Sequence, residues 1–353
     1  MSRTEGLFGE PIDDEFFVWQ GKANAAIVEI IGRMFAGQGD ARSKALLEWQ
    51  YLTPRSEAHV VLAHTEAGPV AGPAALYAAF PVRFRNREKV GKAYQSFDTL
   101  TLAPHRGRNL FTRLAMISYR QLAAEGVSLV FGIPNGESYG GFIRRLGWKT
   151  LDPLPVLIRP FGTRYVRVRS MLRSPVLMEE RWLNSGRSVY DSAVIEGVAS
   201  LVKTSNVEKS SGVVRDRDYL DWRLRRPGNS YRCFESRDTS GTLRAAVISE
   251  LLPKHGCVVG YVMGIFADDG SDSYARHALR LAEDAMRAAG ADLALAWSTP
   301  LTWDHRILRR SHFLPLPPRV SPVELHWGYR SLNDVGLFER QEVQLSYLDS
   351  DTV

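Results

Sequence analysis

Apolar positions along the chain alternate between two periodicities. Spacings of three and four residues predict helices over Asn24 to Phe35 and Ser43 to Tyr51. Alternating or continuous apolar runs predict strands over His59 to His64, Ala71 to Phe80 and Lys92 to Leu102. The last two are long and adjacent, which predicts an antiparallel pair. In the helix predicted over Asn109 to Glu125, Leu110, Leu114, Ile117 and Leu122 share one face. Gly126 stands where its C-terminal cap needs a left-handed backbone. A strand over Ser128 to Ile133 follows, then a second helical stretch closing on Gly147 and Trp148. Helices, an antiparallel meander and a strand-helix-strand unit make an α+β pattern rather than a doubly wound sheet.

The same order recurs. Leu47, Glu48, Trp49 and Pro54 are matched by Leu220, Asp221, Trp222 and Pro227. The stretch through Gly126, Ser128 to Ile133 and Pro134 is matched by Tyr274 to Ala289, Gly290, Asp292 to Trp297 and Pro300, closing on Phe313. Two copies of one α/β domain are predicted. A boundary near 165, beside the basic run Arg164, Arg167, Arg169 and Arg173, gives a tail (1–13), a first domain (14–165) and a second (166–353). Glu342 to Leu348 is predicted as one more strand.

The length of 353 residues agrees with two domains. With 44% hydrophobic and 24% charged residues, neither disorder nor a fibrous repeat fits. A net charge of +6 suits an anionic small molecule as well as nucleic acid. The arginines are scattered rather than gathered in an aromatic-lined stripe, which argues against nucleic acid. No apolar run reaches signal-peptide or membrane-span length, so a cytoplasmic protein without membrane insertion is expected. Cys233 and Cys257 read as small core residues, too few for a disulfide framework, with a single bridge left open. His59 and His64 face opposite sides of their strand and no metal-ligand spacing occurs, so no metal is expected. No G-x-S-x-G elbow occurs either.

Candidate chemistry concentrates between Thr99 and Leu114, where a strand runs into a turn rich in Arg and Gly that opens a helix without an early acidic residue. Unpaired N–H groups and the peptide dipoles leave about half a positive charge at such a helix start. A phosphate or diphosphate suits that place. Gly107 permits close backbone approach, Asn109 tolerates a left-handed conformation, and Arg106 and Arg108 add charge. An ordinary capped helix with solvated arginines has the same letters, so physics alone leaves both readings open.

The run Arg106-Gly107-Arg108-Asn109-Leu110-Phe111 resembles the R/Q-x-x-G-x-G/A motif of the GNAT N-acyltransferase superfamily. Asn135, with Arg145, Leu146, Gly147 and Trp148, is similar to that family's later "N…KLGF" segment. The resemblance covers about residues 14 to 162 and, more loosely, the second copy. It implies two tandem GNAT-like domains, each a mixed, mostly antiparallel sheet flanked by helices. It implies an acyl-CoA donor held by Arg106, Gly107, Arg108, Asn109, Leu110, Phe111, Thr112 and Asn135, and a backbone N–H from Leu100, Thr101 or Leu102 for the oxyanion. Asn109 and Phe111 depart from the family pattern, which has glycine or a small residue there, and the loop between Pro104 and Arg106 is one residue short. Ile143 stands where many members carry a tyrosine acid. Tyr139, on the same helical face, is either its substitute or a packing residue. Asp98 is either the general base, its pKa raised in a partly apolar cleft, or a structural hydrogen-bonding partner of the phosphate loop. His105 reads as a loop residue.

The second copy has Ala267-Asp268-Asp269-Gly270-Ser271-Asp272 at the corresponding turn, and three carboxylates there oppose an anion. One donor site per chain is therefore expected, in the first half, with the second half shaping the acceptor pocket or supporting the fold. Tyr219, Trp222, Arg223, Arg225 and Arg226 read either as a site for a phosphorylated acceptor or as a solvated helix start. The expected activity is acyl-CoA-dependent N-acylation of a small amine, and the resemblance extends to acyltransferases for nucleotide-linked amino sugars. A FemAB-like transferase drawing on charged tRNA and a non-catalytic CoA-binding regulator are the competing readings.

Overall fold

A computed structural model describes residues 9–53, 55, 57–87, 89–134, 136–151, 155–162, 176–205, 210–254, 256–317, 326–333 and 343–350. Contacts divide the chain into two units. The first comprises Met1–Phe84, Val90–Leu151 and His326–Leu337, and the second Arg85–Lys89, Asp152–Leu325 and Phe338–Val353. Where the sequence suggested one boundary near 165, the main break falls after Leu151 and a late segment returns to the first unit. The arginines at 164, 167, 169 and 173 lie outside the described residues.

The first unit begins with β1 (Glu10–Pro11), β2 (Phe17–Lys22), α1 (Ala25–Ala36) and α2 (Lys44–Tyr51). Asn24 and Ser43 cap the two helices by accepting from the amides of Ile27 and Leu46. Then follow β3 (His59–His64), a single turn α3 (Gly68–Ala71), β4 (Pro73–Asn86) and β5 (Lys89–Thr101). β4 overruns its predicted end because alternation continues past Phe80, with Val82 and Phe84 buried and Arg83 exposed between them, whereas β5 is extended at its start by the exposed residues Lys89 to Gly91. α4 (Leu110–Ala124), β6 (Leu129–Gly132), α5 (Gly136–Arg144) and β7 (Lys149–Thr150) complete the contiguous part. As the spacing predicted, Leu110, Leu114 and Leu122 bury one face of α4 against Val61, Ala63, Tyr77 and Val130 of the sheet.

The sheet order is β1-β2-β3-β4-β5-β6, then β16 (Gly328–Ser331), then β7. β5 and β6 are parallel, β16 is antiparallel to both β6 and β7, and one rung runs Ser96, Gly132, Gly328, Thr150. Trp148 packs over its two glycines. A Cβ on Gly328 would lie 3.0 Å from the indole, and one on Gly132 would lie 2.9 Å from the Ser96 carbonyl oxygen.

The second unit takes β8 (Val156–Pro160) from the end of the first repeat. It continues with α6 (Glu179–Leu183), β9 (Arg187–Ser188), α7 (Ser192–Thr204), β10 (Gly212–Val213), α8 (Arg217–Leu224), β11 (Arg232–Arg237), β12 (Leu243–Lys254) and β13 (Cys257–Ala267). α9 (Asp272–Ala288), β14 (Leu293–Trp297), α10 (Trp303–Arg310) and β15 (Leu314–Pro315) follow. Its sheet order, β9-β11-β12-β13-β14-β8-β15, follows that of the first sheet from β2 to β7, and β1 has no counterpart in it. The fold is thus α+β, with two mixed, mostly antiparallel sheets flanked by helices. Each repeat gives its last long strand to the other sheet, since β8 pairs with β14 and β16 with β6.

The predicted strand over Glu342 to Leu348 is instead one isolated bridge at Val343 and a 3-10 turn at Tyr347–Asp349. Both cysteines are buried free thiols, so the bridge left open by their number does not form. Among the described residues no helix is long and apolar enough to cross a membrane.

His59 opens β3 at 4% exposure, and its Nε2 has no hydrogen-bond partner among the described residues. Burial pushes its imidazole from the usual 6.5 down to about 4. A neutral folded histidine stabilises the fold fully above the unfolded pKa, and that contribution is lost as pH falls toward 4. The loss amounts to about 3 kcal/mol. Urea unfolding at pH 7 and pH 4.5 should show a smaller pH dependence in His59→Gln than in the parent. Equal dependence would mean that His59 is charged in the fold.

Candidate functional site

β5 carries the candidate site. Its pairing with β6 ends at Ser96–Gly132, and among the described residues no strand covers that edge farther along, toward Thr101. On the other edge, the Leu102 N–H donates to the Ala74 carbonyl at 3.0 Å. The Leu102 amide is therefore used inside the sheet, while strand alternation turns the Thr101 amide toward the open edge. An open strand edge offers main-chain donors and acceptors to an extended ligand.

A 3-10 turn at Ala103–His105 follows β5. Gly107 has φ +81, and Asn109, at φ 61, is the left-handed N-cap residue of α4. The Asn109 side chain makes no capping bond; its Oδ1 accepts from Arg145 Nη1 at 3.4 Å. The first amides of α4, at Leu110, Phe111 and Thr112, thus have neither a side-chain cap from Asn109 nor an acid in the first turn. Nothing lies within 4 Å of a Cβ built on Gly107, so space is open above the turn. A left-handed turn that opens a helix whose first amides lack a cap is a type of backbone that can bind anionic oxygens.

Phe111, a departure from the family pattern, does not fill that space. Its ring packs edge-on against Phe142 at 5.1 Å and occupies the room left by Gly141, where a Cβ would approach to 2.8 Å. Arg106 Nε donates to the Thr101 carbonyl at 3.3 Å. Arg108 pairs with Glu15 and lies over the Phe16 ring, while His105 meets that ring edge-on at 5.5 Å. Arg113 ties α4 to the N-terminal segment through Asp13 at 2.5 Å and the Ile12 carbonyl at 2.7 Å. The hydrogen bond from Arg113 holds the Asp13 carboxyl below its usual range. Asn135 lies outside the described residues.

Asp98 is 6% exposed and its Oδ2 accepts from Arg42 Nη1 at 2.6 Å and from the Tyr51 hydroxyl at 2.5 Å. Arg42 also binds Asp40 and lies 3.8 Å from the Phe35 ring centroid. Burial works against the Arg42 charge, but Asp98 overrides it and raises its pKa; burial also raises that of Tyr51. Asp98 is thus already engaged by two donors on the α2 side. The network joins α2 to β5, where the sequence had offered a base or a bond to the phosphate loop. Arg42 and Tyr51 were not legible as partners because they lie on elements distant in the chain.

Removing one partner of a buried ion pair leaves the other uncompensated. Asp98→Asn should lose about 3 kcal/mol of stability, and Tyr51→Phe about 1 kcal/mol. Chemical unfolding measures both. Unchanged stability in Asp98→Asn, with turnover abolished, would identify a free catalytic base instead.

Tyr139 sits on α5 with its hydroxyl 3.4 Å from Thr150 Oγ1 and its ring 4.2 Å from that of His326. In the second unit, the three carboxylates expected at the corresponding turn stand at the start of α9. Asp268 accepts from Arg244 and Thr204, and Asp272 from Trp303 and Arg310. Beyond Val262–Ala296, where β13 and β14 stop pairing, the chain's own late segment packs. Tyr347 meets Tyr261 at 5.4 Å and Trp297 at 6.2 Å, and Asp349 forms a buried ion pair with Arg215.

Residues 23–151 match the acetyltransferase (GNAT) domain family. No curated protein matches the sequence. Among solved structures, a probable N-acyltransferase from Enterococcus faecalis superimposes with a TM-score of 0.61 at 10% identity, covering 89% of this chain and 73% of that one. A GCN5-related N-acetyltransferase from Anabaena variabilis gives 0.58 at 10% identity, covering 90% and 73%. Saccharomyces cerevisiae N-myristoyltransferase with bound myristoyl-CoA gives 0.54 at 10% identity, covering 93% and 82%. At these identities the likeness is one of fold, and it extends over both repeats. Residues 23–151 thus match a GNAT acetyltransferase domain, set within a fold that the two repeats share with these N-acyltransferase structures.

Proposed function

We propose that the protein transfers an acyl group from acyl-CoA to the primary amine of a small acceptor, at one donor site in the first unit. The observation that carries this reading is the left-handed Gly107–Asn109 turn opening α4 beside the uncovered edge of β5. The amides of Leu110, Phe111 and Thr112 and the side chains of Arg106 and Arg108 bind the diphosphate. The edge at Leu100 and Thr101 aligns the pantetheine arm, and the Thr101 amide polarises the thioester carbonyl. Asp98 acts through Arg42 and Tyr51 to hold β5 and α2 in place. Tyr139 gives its phenol proton to the departing thiolate as the new C–N bond forms, and the phenolate recovers a proton from the acylated nitrogen through water. The first acceptor class to test is a nucleotide-linked amino sugar, in keeping with the net positive charge and the family resemblance.

Calorimetric titration with acetyl-CoA, followed by thiol release against a panel of amines and nucleotide-linked amino sugars, tests the proposal. Binding with amine-dependent thiol release is the expected result. A protein that binds no CoA would end the reading.

A further inference from the structure

We infer that His326 is a positioning residue for Tyr139, supplied to the donor site from the far end of the chain; the inference rests on the function proposed above. The first unit's sheet holds Ser96, Gly132, Gly328 and Thr150 on one rung, the last at which β5 and β6 pair. β16 runs opposite to β6, so His326 lies two residues outward of Gly328, on the side where the β5 edge opens. Residues two apart on a strand face the same way. His326 and the Gly328 position therefore share the face on which Thr150 meets the Tyr139 hydroxyl. His326 is 8% exposed, and its ring lies 4.2 Å from the Tyr139 ring at 36°.

Tyr139 has little else to fix it. Tyr139 and its α5 neighbours Gly140 and Gly141 are only partly buried, and its hydroxyl contact to Thr150 is long at 3.4 Å. Two consecutive glycines weaken a helix, so this turn of α5 depends on tertiary contacts. A buried ring against one face of the phenol restricts its rotation, and the adjoining Trp327, fully buried, anchors that ring to the sheet. An acid held in one orientation delivers its proton more effectively than a mobile one. The segment that brings His326 belongs by sequence to the second repeat, so the donor site of the first unit is incomplete without it.

Steady-state kinetics of the full chain, using acetyl-CoA and the best amine from the panel, test the inference. His326→Ala should lower kcat about 10-fold or more and change the KM for acetyl-CoA less than 3-fold, as Tyr139→Phe should. His326→Phe, which keeps a ring on the phenol, should stay within 3-fold of the parent. The Tyr139→Phe/His326→Ala double variant should be no slower than the slower single variant, because both remove one function. Additive losses, or a kcat loss in His326→Phe equal to that in His326→Ala, would overturn the inference. Should His326→Ala fail to fold, His326→Leu against His326→Phe gives the same comparison. A parent protein without CoA binding refutes the donor reading, whereas an active parent with unaltered His326→Ala refutes only this one.

Discussion

A fragment ending at Gly162 is expected not to fold, although it contains the whole matched domain. It would lack β16, the strand between β6 and β7. It would also lack Trp327, fully buried and packed 6.3 Å from Phe84, 5.9 Å from Phe131 and 5.3 Å from Tyr329. Losing one buried tryptophan costs about 3–5 kcal/mol, against a total stability of about 5–15 kcal/mol for a typical domain. The fragment would in addition carry β8, whose Val156, Leu157 and Ile158 are buried in the second sheet, as an uncovered apolar strand. Near-ultraviolet circular dichroism and a thermal melt decide the matter. A monodisperse fragment with one cooperative transition would show that the exchanged strand is dispensable.

Asn109→Asp should weaken binding of CoA at least 10-fold while leaving the fold as stable or slightly more so. The substitution is nearly isosteric, and aspartate tolerates the left-handed φ of 61. A carboxylate at a helix N-terminus stabilises it by about 0.3–1 kcal/mol, and Arg145, 3.4 Å from the Asn109 oxygen, gives it a partner. The same charge would face the diphosphate across the turn, where like charges repel. The opposite signs make the test specific, because general damage would lower both quantities. Calorimetry with CoA and a parallel melt measure them. Undiminished affinity would place the diphosphate elsewhere.

Most of the site's backbone was legible in the letters. Gly107 and Asn109 are the residue types that enter positive φ cheaply, and both do so. The lack of an acid between Leu110 and Thr112 left the helix start electropositive, and the carboxylates Asp268, Asp269 and Asp272 set the second turn apart. Side-chain pairing was not legible. Asp98 meets Arg42 and Tyr51 only because α2 crosses back over β5, and no local spacing encodes that crossing. Phe111 stood where the family keeps small residues, yet Gly141 makes room for its ring on α5. Tyr139 and His326 are far apart in the chain and meet through the register of β16.

By itself the sequence determined the order of the main helices and strands, their recurrence along the chain, and the left-handed turn before α4, because these depend on apolar period and on backbone preferences acting over a few residues. Tertiary structure alone decided which sheet each late strand entered. β8 and β16 have matching positions in their repeats, and a short apolar strand carries no label for its partner; pairing is settled by the edge and the cavity that it completes. The consequence is a first unit that is compact in space but discontinuous in sequence: the matched stretch 23–151 is continuous, yet Trp327 and Gly328 from late in the chain complete its sheet.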